Sequence, residues 1–292
     1  MTTSSTAPAG FDGMRPVELD TIEQQLDNIW RETNTHVAGG SGNAVARNSV
    51  LTLVAIAHDI REARQVLEVL HMVSGEHPSR AIVVAAAGAA RAPSTRQSEQ
   101  EPSSIQAYVG AVGAVDGANN SYTEDILLIA SGEAARHLPG VILPLIVSGL
   151  PSFLWWIGEP AWGTEMLEAL VDGSDRLIVD TSTMAHPDHS MRALEDLMRR
   201  KSSRCAVSDI SWSVQAPWRD IIAQFFDPLG VRAYLDDVER VTVEYSAGDE
   251  DAPSNNSQAY LFAGWLASRL GWRVNLAQPA GNTGARQHTL YD

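Results

Sequence analysis

Apolar and polar positions along this 292-residue chain switch repeatedly between two periods. Continuous apolar runs occur at SVLTLVAIA (49–57), AIVVAAAG (81–88), EDILLIASG (124–132) and DRLIVDTST (175–183). Such runs predict strands covered on both faces. IQAYVGAVGAV (105–115) reads as a further strand, and the turn-like DGANN after it makes an antiparallel edge with 124–132 the expectation. Between these runs the period lengthens. Ile22, Leu26, Ile29 and Trp30 space a helix over 17–34, and Ile60, Arg64, Leu67 and Leu70 a second one closed by Gly75. Helices are also predicted over 139–148, 165–173 and 189–201, from Pro217 to Asp227-Pro228, and over SQAYLFAGWLASRLGW. The remaining strands are 152–157, 206–212 (or an extended turn there), the alternating VERVTVEYS (238–246), and 272–277. Strands alternating with helices predict an α/β fold: a mostly parallel sheet flanked by helices, in one body or two closely packed subdomains.

Composition divides the chain. Residues 1–16 are small and polar and predict a disordered N-terminus. An N-terminal α/β part is expected over 17–135, a C-terminal α/β part over 136–277, and a frayed tail over 278–292. The polar 88–104 reads as a long loop and the acidic 247–257 as a solvated insert. VILPLIVSGLPSFLWWI (141–157) imitates a membrane span. It is shorter than the ~20 residues a span needs, and Pro144, Gly149 and Pro151 interrupt it. A buried helix followed by a buried strand is expected instead.

Charge and cysteine narrow the function classes. With 21 basic and 36 acidic residues the net charge is −15. That excess argues against binding a nucleic-acid backbone or an anionic membrane surface. Cys205 is the single cysteine, so no disulfide can close within this chain, and the start MTTSSTAPAGFDG is not a secretory signal. A cytoplasmic setting is the expectation.

Catalytic and cofactor motifs are absent. Neither G-x-G-x-x-G nor G-x-x-x-x-G-K-[ST] occurs, and G-x-S-x-G is missing. VVAAAGAAR (83–91) is the nearest to a phosphate loop. Its Gly88 and Arg91, with Asp180 at the end of DRLIVD, define an alternative ligand pocket at the carboxyl ends of the strands, suited to a sugar phosphate or nucleotide in an enzyme or sensor. His186, Asp188 and His189 could ligate a metal, but Asp188 also sits where an N-cap belongs; no metal and no cofactor are expected. Cys205 is expected to be an inert buried thiol. No catalytic constellation stands out, so the chain is not expected to be an enzyme.

Tryptophan is the distinctive residue. There are eight, and Trp155 and Trp156 are adjacent in LPSFLWWIGEP. Neighbours in a strand point to opposite faces, so both faces there must be covered, by core or by a partner. Trp162 and Trp212 fall in expected loops. Trp218 shares a helix face with Ile222 and Phe225 at core spacing, while Arg219 points elsewhere, to the surface. Trp265, with Ala259, Ala263 and Ala267 at four-residue steps, predicts close helix packing. Tryptophan and arginine are enriched at interface hot spots, which makes Trp155, Trp156, Trp162, Trp212, Trp218 and Arg219 the candidate partner-binding residues.

Five blocks occur in fixed order: LPSFLWW (150–156), DRLIVDTS (175–182), PWRDIIAQFFDP (217–228), DVERVTVEY (237–245) and AYLFAGWLASRLGWR (259–273). Together they resemble the glucose-6-phosphate dehydrogenase assembly proteins of the OpcA family. The resemblance implies a non-catalytic effector whose partner is that dehydrogenase of the oxidative pentose phosphate pathway, and whose binding favours the enzyme's active oligomer. Longer cyanobacterial members of the family carry paired cysteines linked to redox control, and Cys205 alone offers no such pair.

Overall fold

The computed structural model describes residues 7–38, 49–86, 103–116, 119–245, 255–274 and 290–291. By packing, the chain divides into two compact units, 1–179 with 193–208, and 180–192 with 209–292. The division falls after the strand that ends at Val179 rather than near residue 135, because the hairpin before that point and the strands after it share one sheet.

The first unit begins with an edge strand, β1 (Arg15–Val17), and α1 (Ile22–Ala38). β2 (Leu51–Ala57), α2 (Ile60–Val73) and β3 (Ser79–Ala86) follow, then β4 (Ser104–Asp116) and β5 (Asn119–Ser131). α3 (Leu138–Ile142), β6 (Ser152–Trp156), α4 (Glu165–Asp172) and β7 (Arg176–Val179) come next. The later turns of α5 (Pro187–Lys201), and β8 (Ala206–Asp209), complete it. The eight strands lie in the order β1-β4-β5-β3-β2-β6-β7-β8. β2 runs parallel to both β3 and β6, β3 to β5, and β6 to β7, while β4 is antiparallel to β5 and to β1.

The reason for this arrangement is legible in the runs. Every residue of β3 is buried, and so is β2 after its first residue. Leu53, Ala55, Ala81, Val83 and Leu127 form one side of a core closed by Val66, Leu67 and Leu70 of α2. Asp59 caps α2, accepting from the backbone N–H of Arg61 and Glu62. Phe11 is buried in the same core and β1 pairs with Val109, Tyr108 and Ala107, so residues 7–17 belong to the fold where disorder was expected through 16. The expected helix 139–148 is a succession of short 3-10 turns around α3, since Pro139 and Pro144 each remove a backbone donor. Among the described residues no helix is long and apolar enough to cross a membrane.

β5 carries two buried acids side by side. Glu124 and Asp125 point to opposite faces and each has its own base. Arg80 donates to Glu124 from Nε at 2.8 Å and also bonds Glu23 and the Leu145 carbonyl, while Trp30 Nε1 donates to the other Glu124 oxygen. On the opposite face, Nε2 of half-exposed His71 lies 2.6 Å from Oδ2 of Asp125. That hydrogen bond raises His71 above the ordinary 6.5, and burial raises Asp125 above 3.8. The two shifts put the proton on different partners. We assign it to His71, whose ring is the more exposed to water, and both shifts hold one proton in the pair. A raised folded-state pKa gives stability that is complete below the unfolded value and is lost as pH rises through the folded one. Stability measured by urea unfolding is therefore expected to fall as pH is raised above 6.5, and His71→Gln to flatten that part of the profile. An unchanged slope in the variant would contradict the assignment.

The second unit holds the start of α5, then α6 (Ile210–Val214), α7 (Ala216–Phe225), α8 (Leu229–Arg232), α9 (Ser257–Leu270), β9 (Arg273–Val274) and β10 (Leu290–Tyr291). α5 begins at Pro187, so Asp188 lies in its first turn and is not the N-cap. β9 and β10 pair antiparallel. α9 packs on α6 with Ala267 buried and Trp265 half-buried, its ring 5.6 Å from Phe262, and Gly271 ends the helix at φ 73°. Residues 238–245 form no strand ladder, although their alternation predicts one, because no described strand lies beside them to supply hydrogen bonds. The expected insert over 247–257 and tail over 278–292 fall largely outside the described residues.

Candidate functional site

The local sequence of the second unit explains how an apolar surface forms there. Asp209 caps α6, accepting from the Ser211 N–H at 2.9 Å. Pro217 in the first turn of α7 has no donor to lose, and Asp227-Pro228 stops the helix. Trp212 therefore sits in a short helix and not in a loop. The Arg219 guanidinium lies 3.6 Å from the centre of the Trp212 ring and donates to the Trp212 carbonyl at 2.7 Å, fastening α7 to α6.

No residue of α7 is buried. Trp218 and Phe225 are 65% and 66% exposed, and Ile221 between them shares their side of the helix at three- and four-residue steps. Val214 precedes this row, and Leu229 (87% exposed) and Tyr234 follow it. Ile222 and Phe226, one position on, are half-buried, and Phe226 meets Phe225 edge-on at 5.1 Å. The expectation that Trp218 and Phe225 face the core is thus reversed. The spacing is that of a helix face, but the face looks outward. Exposed Asp220, Asp227, Asp236 and Asp237 flank the row. Contiguous large apolar side chains with a polar rim mark interaction surfaces.

The other tryptophans have different surroundings. Trp156 is fully buried, paired with Ile56 across the β6–β2 ladder, and no partner can reach it. Trp155 is half-buried on the opposite face, against the α2 core. The adjacent pair is covered on both sides by the chain itself. Trp162 lies in the turn after β6, half-buried, with its Nε1 enclosed and unpaired. Of the six candidate residues, the structure brings Trp212 and Arg219 into contact and places Trp218 on the helix that Arg219 anchors. Trp155, Trp156 and Trp162 belong to the first unit. Ile221, Leu229 and Tyr234 were not singled out from sequence; the signal was an apolar row flanked by acids at Asp220 and Asp227.

Of the alternative pocket the structure describes Asp180. Gly88 and Arg91 lie outside the described residues. Asp180 is committed, its Oδ1 accepting from Ser182 N, Ser182 Oγ and Ser211 Oγ at 3.0, 2.6 and 2.8 Å. A cleft of about 390 Å³ opens instead at the amino ends of the strands, over Arg80, Glu23 and Glu124, where the cation is already paired with both carboxylates. Among the described residues no three potential metal ligands cluster. Burial pushes the Cys205 thiol up, which suits a structural residue and not a nucleophile.

Residues 71–196 match the family model described as the glucose-6-phosphate dehydrogenase subunit N-terminal domain, and residues 205–292 the model of its C-terminal domain. The chain belongs to the OpcA family. Curated relatives named "Putative OxPP cycle protein OpcA" include those of Synechocystis sp., 31% identical over 149 residues, and of Nostoc punctiforme, 33% identical over 150. A third, from Synechococcus elongatus, is 27% identical over 150 residues. Each alignment covers 51% of this chain, and between 30% and 32% of the relative, so the matched stretch is under a third of those OpcA proteins.

Proposed function

We propose that this OpcA-family chain is a non-catalytic effector that binds glucose-6-phosphate dehydrogenase in the cytoplasm and favours the enzyme's active assembly. The observation that carries the reading is the outward apolar row of α7 and α8 with its acidic rim, in a chain of the family whose models are described as subunits of that dehydrogenase. The lack of a phosphate loop, and the commitment of Asp180 and Arg80 to internal partners, support a binding role over a catalytic one. Docking is assigned to Trp218, Ile221, Phe225 and Leu229, with Trp212 and Arg219 holding the face in shape. A stable interface covers about 800 Å² per partner, so this row is its centre.

Binding alone activates nothing. An effector shifts an equilibrium by the ratio of its affinities for the two states, and a tenfold preference for the active assembly corresponds to about 1.4 kcal/mol. The acidic rim and the net charge of −15 call for a basic surface around the apolar socket on the enzyme. Size exclusion with light scattering on the chain mixed with the dehydrogenase of the same organism tests the reading. A co-eluting species whose formation weakens as salt is raised is expected. Separate elution at low salt and micromolar concentrations would overturn it.

A further inference from the structure

Val238 to Tyr245 has a feature that docking through α7 does not explain. Among the described residues its backbone groups enter no backbone hydrogen bond, whether helix, turn or ladder. From Arg240 to Glu244 burial nevertheless alternates as in an extended chain, with Val241 and Val243 half-buried and Arg240, Thr242 and Glu244 exposed, while Val238 (half-buried) and Glu239 (exposed) fall out of that phase. Arg240 and Glu244 take part in no ion pair there. An extended segment with one face seated and no backbone partner among the described residues is a template for pairing with another chain.

The sequence of the segment states which chain fits. In an antiparallel pair of two copies centred on Thr242, Arg240 of each copy stands opposite Glu244 of the other, Val241 opposite Val243, and Thr242 opposite Thr242. Both ion pairs form at once, and from Arg240 to Glu244 the valines stay on one face and the polar residues on the other. Moving the register by one residue sets Val241 opposite Thr242 and breaks the separation of faces. Moving it by two keeps the faces but separates Arg240 from Glu244. A two-fold axis through Thr242 therefore satisfies charge, size and face together, as an isologous contact requires. We infer that residues 240–244 pair antiparallel with the same residues of a second copy, making this chain a dimer through an intermolecular two-stranded sheet.

The inference is independent of the dehydrogenase and is tested without it. Sedimentation of the full 292-residue chain over a concentration series gives the dimer Kd. Arg240→Glu and Glu244→Arg each place like charges opposite one another at both ends of the pair, and each is expected to raise that Kd by about tenfold or more. Both positions are exposed, so the urea midpoint of each variant should match the parent. An equimolar mixture of the two variants restores opposite charges at both ends, and heterodimers are expected from proteins that are monomeric alone. A parent that stays monomeric throughout, or variants that dimerise as tightly as the parent, would overturn the inference. So would a dimer that tolerates both charge changes but is lost on Trp218→Ala, which would place the contact on α7. If the parent is monomeric and both variants lose the dehydrogenase, the strand belongs to that partner.

Discussion

Arg80→Met lowers the stability of the first unit by about 3–5 kcal/mol, as urea unfolding followed by circular dichroism should show. Arg80 and Glu124 have side chains only 4% and 1% exposed, and the guanidinium pairs with Glu124. Removing it takes the guanidinium from a carboxylate inside the sheet, to which the Trp30 N–H still donates. Glu23, half exposed, can turn to water; Glu124 cannot. The loss is dominated by the buried carboxylate losing its cation and not by the missing bonds. Arg80→Met/Glu124→Gln is accordingly expected to recover most of it, because the amide stays neutral and can still accept from Trp30. A single variant within about 1 kcal/mol of the parent would contradict the account of the buried cluster.

Trp218→Ala/Phe225→Ala is expected to weaken binding to glucose-6-phosphate dehydrogenase by about a hundredfold or more while leaving the unfolding midpoint unchanged. Large aromatic anchors at the centre of an interface commonly contribute 2 kcal/mol or more each, and 1.4 kcal/mol is a factor of ten in affinity. Both rings are mostly exposed in the free chain, so their removal takes little from the fold. Arg219→Ala should have a smaller effect on affinity, since its guanidinium is spent on Trp212 and acts by fixing the angle of α7. Calorimetric titration of the enzyme with each variant separates these roles. Equal affinity for the parent and the double variant would remove α7 from the interface and leave the Trp162 turn as the place to look.

Sequence made the sheet legible where burial is two-sided. β2 and β3 are continuous apolar runs because both faces of these strands are covered, and their length and bounding turns mark them as strands. The β4–β5 hairpin followed from the turn between them. The direction in which a face looks was not legible. Trp218, Ile222 and Phe225 have core spacing, yet periodicity reports which residues share a side of a helix and not what lies opposite it. The same limit applies to 238–245, whose burial alternates only from Arg240 to Glu244 and whose ladder needs a neighbour that no local pattern encodes. β1 was hidden for another reason. It is three residues long with Pro16 at its middle, a residue tolerated only at a sheet edge, and the burial of Phe11 depends on contacts far along the chain.

Of the candidate site, the residue types were legible and their grouping was not. Trp212 and Arg219 are seven residues apart, and the break between α6 and α7 brings them into contact. Trp156 was drawn into the candidate list by its neighbour, although a central strand beside β2 buries one of any two adjacent side chains on each face. Family membership rested on blocks of residues in order, which composition and periodicity alone do not name.

Whether this chain biases glucose-6-phosphate dehydrogenase towards its active assembly is decided by one titration. Initial rates of the enzyme are recorded against glucose 6-phosphate with increasing amounts of the chain, and scattering mass is measured on the same samples. A lowered KM or raised kcat that saturates together with the appearance of a larger complex is expected. Rates that stay constant while the masses of the two proteins remain separate would contradict it.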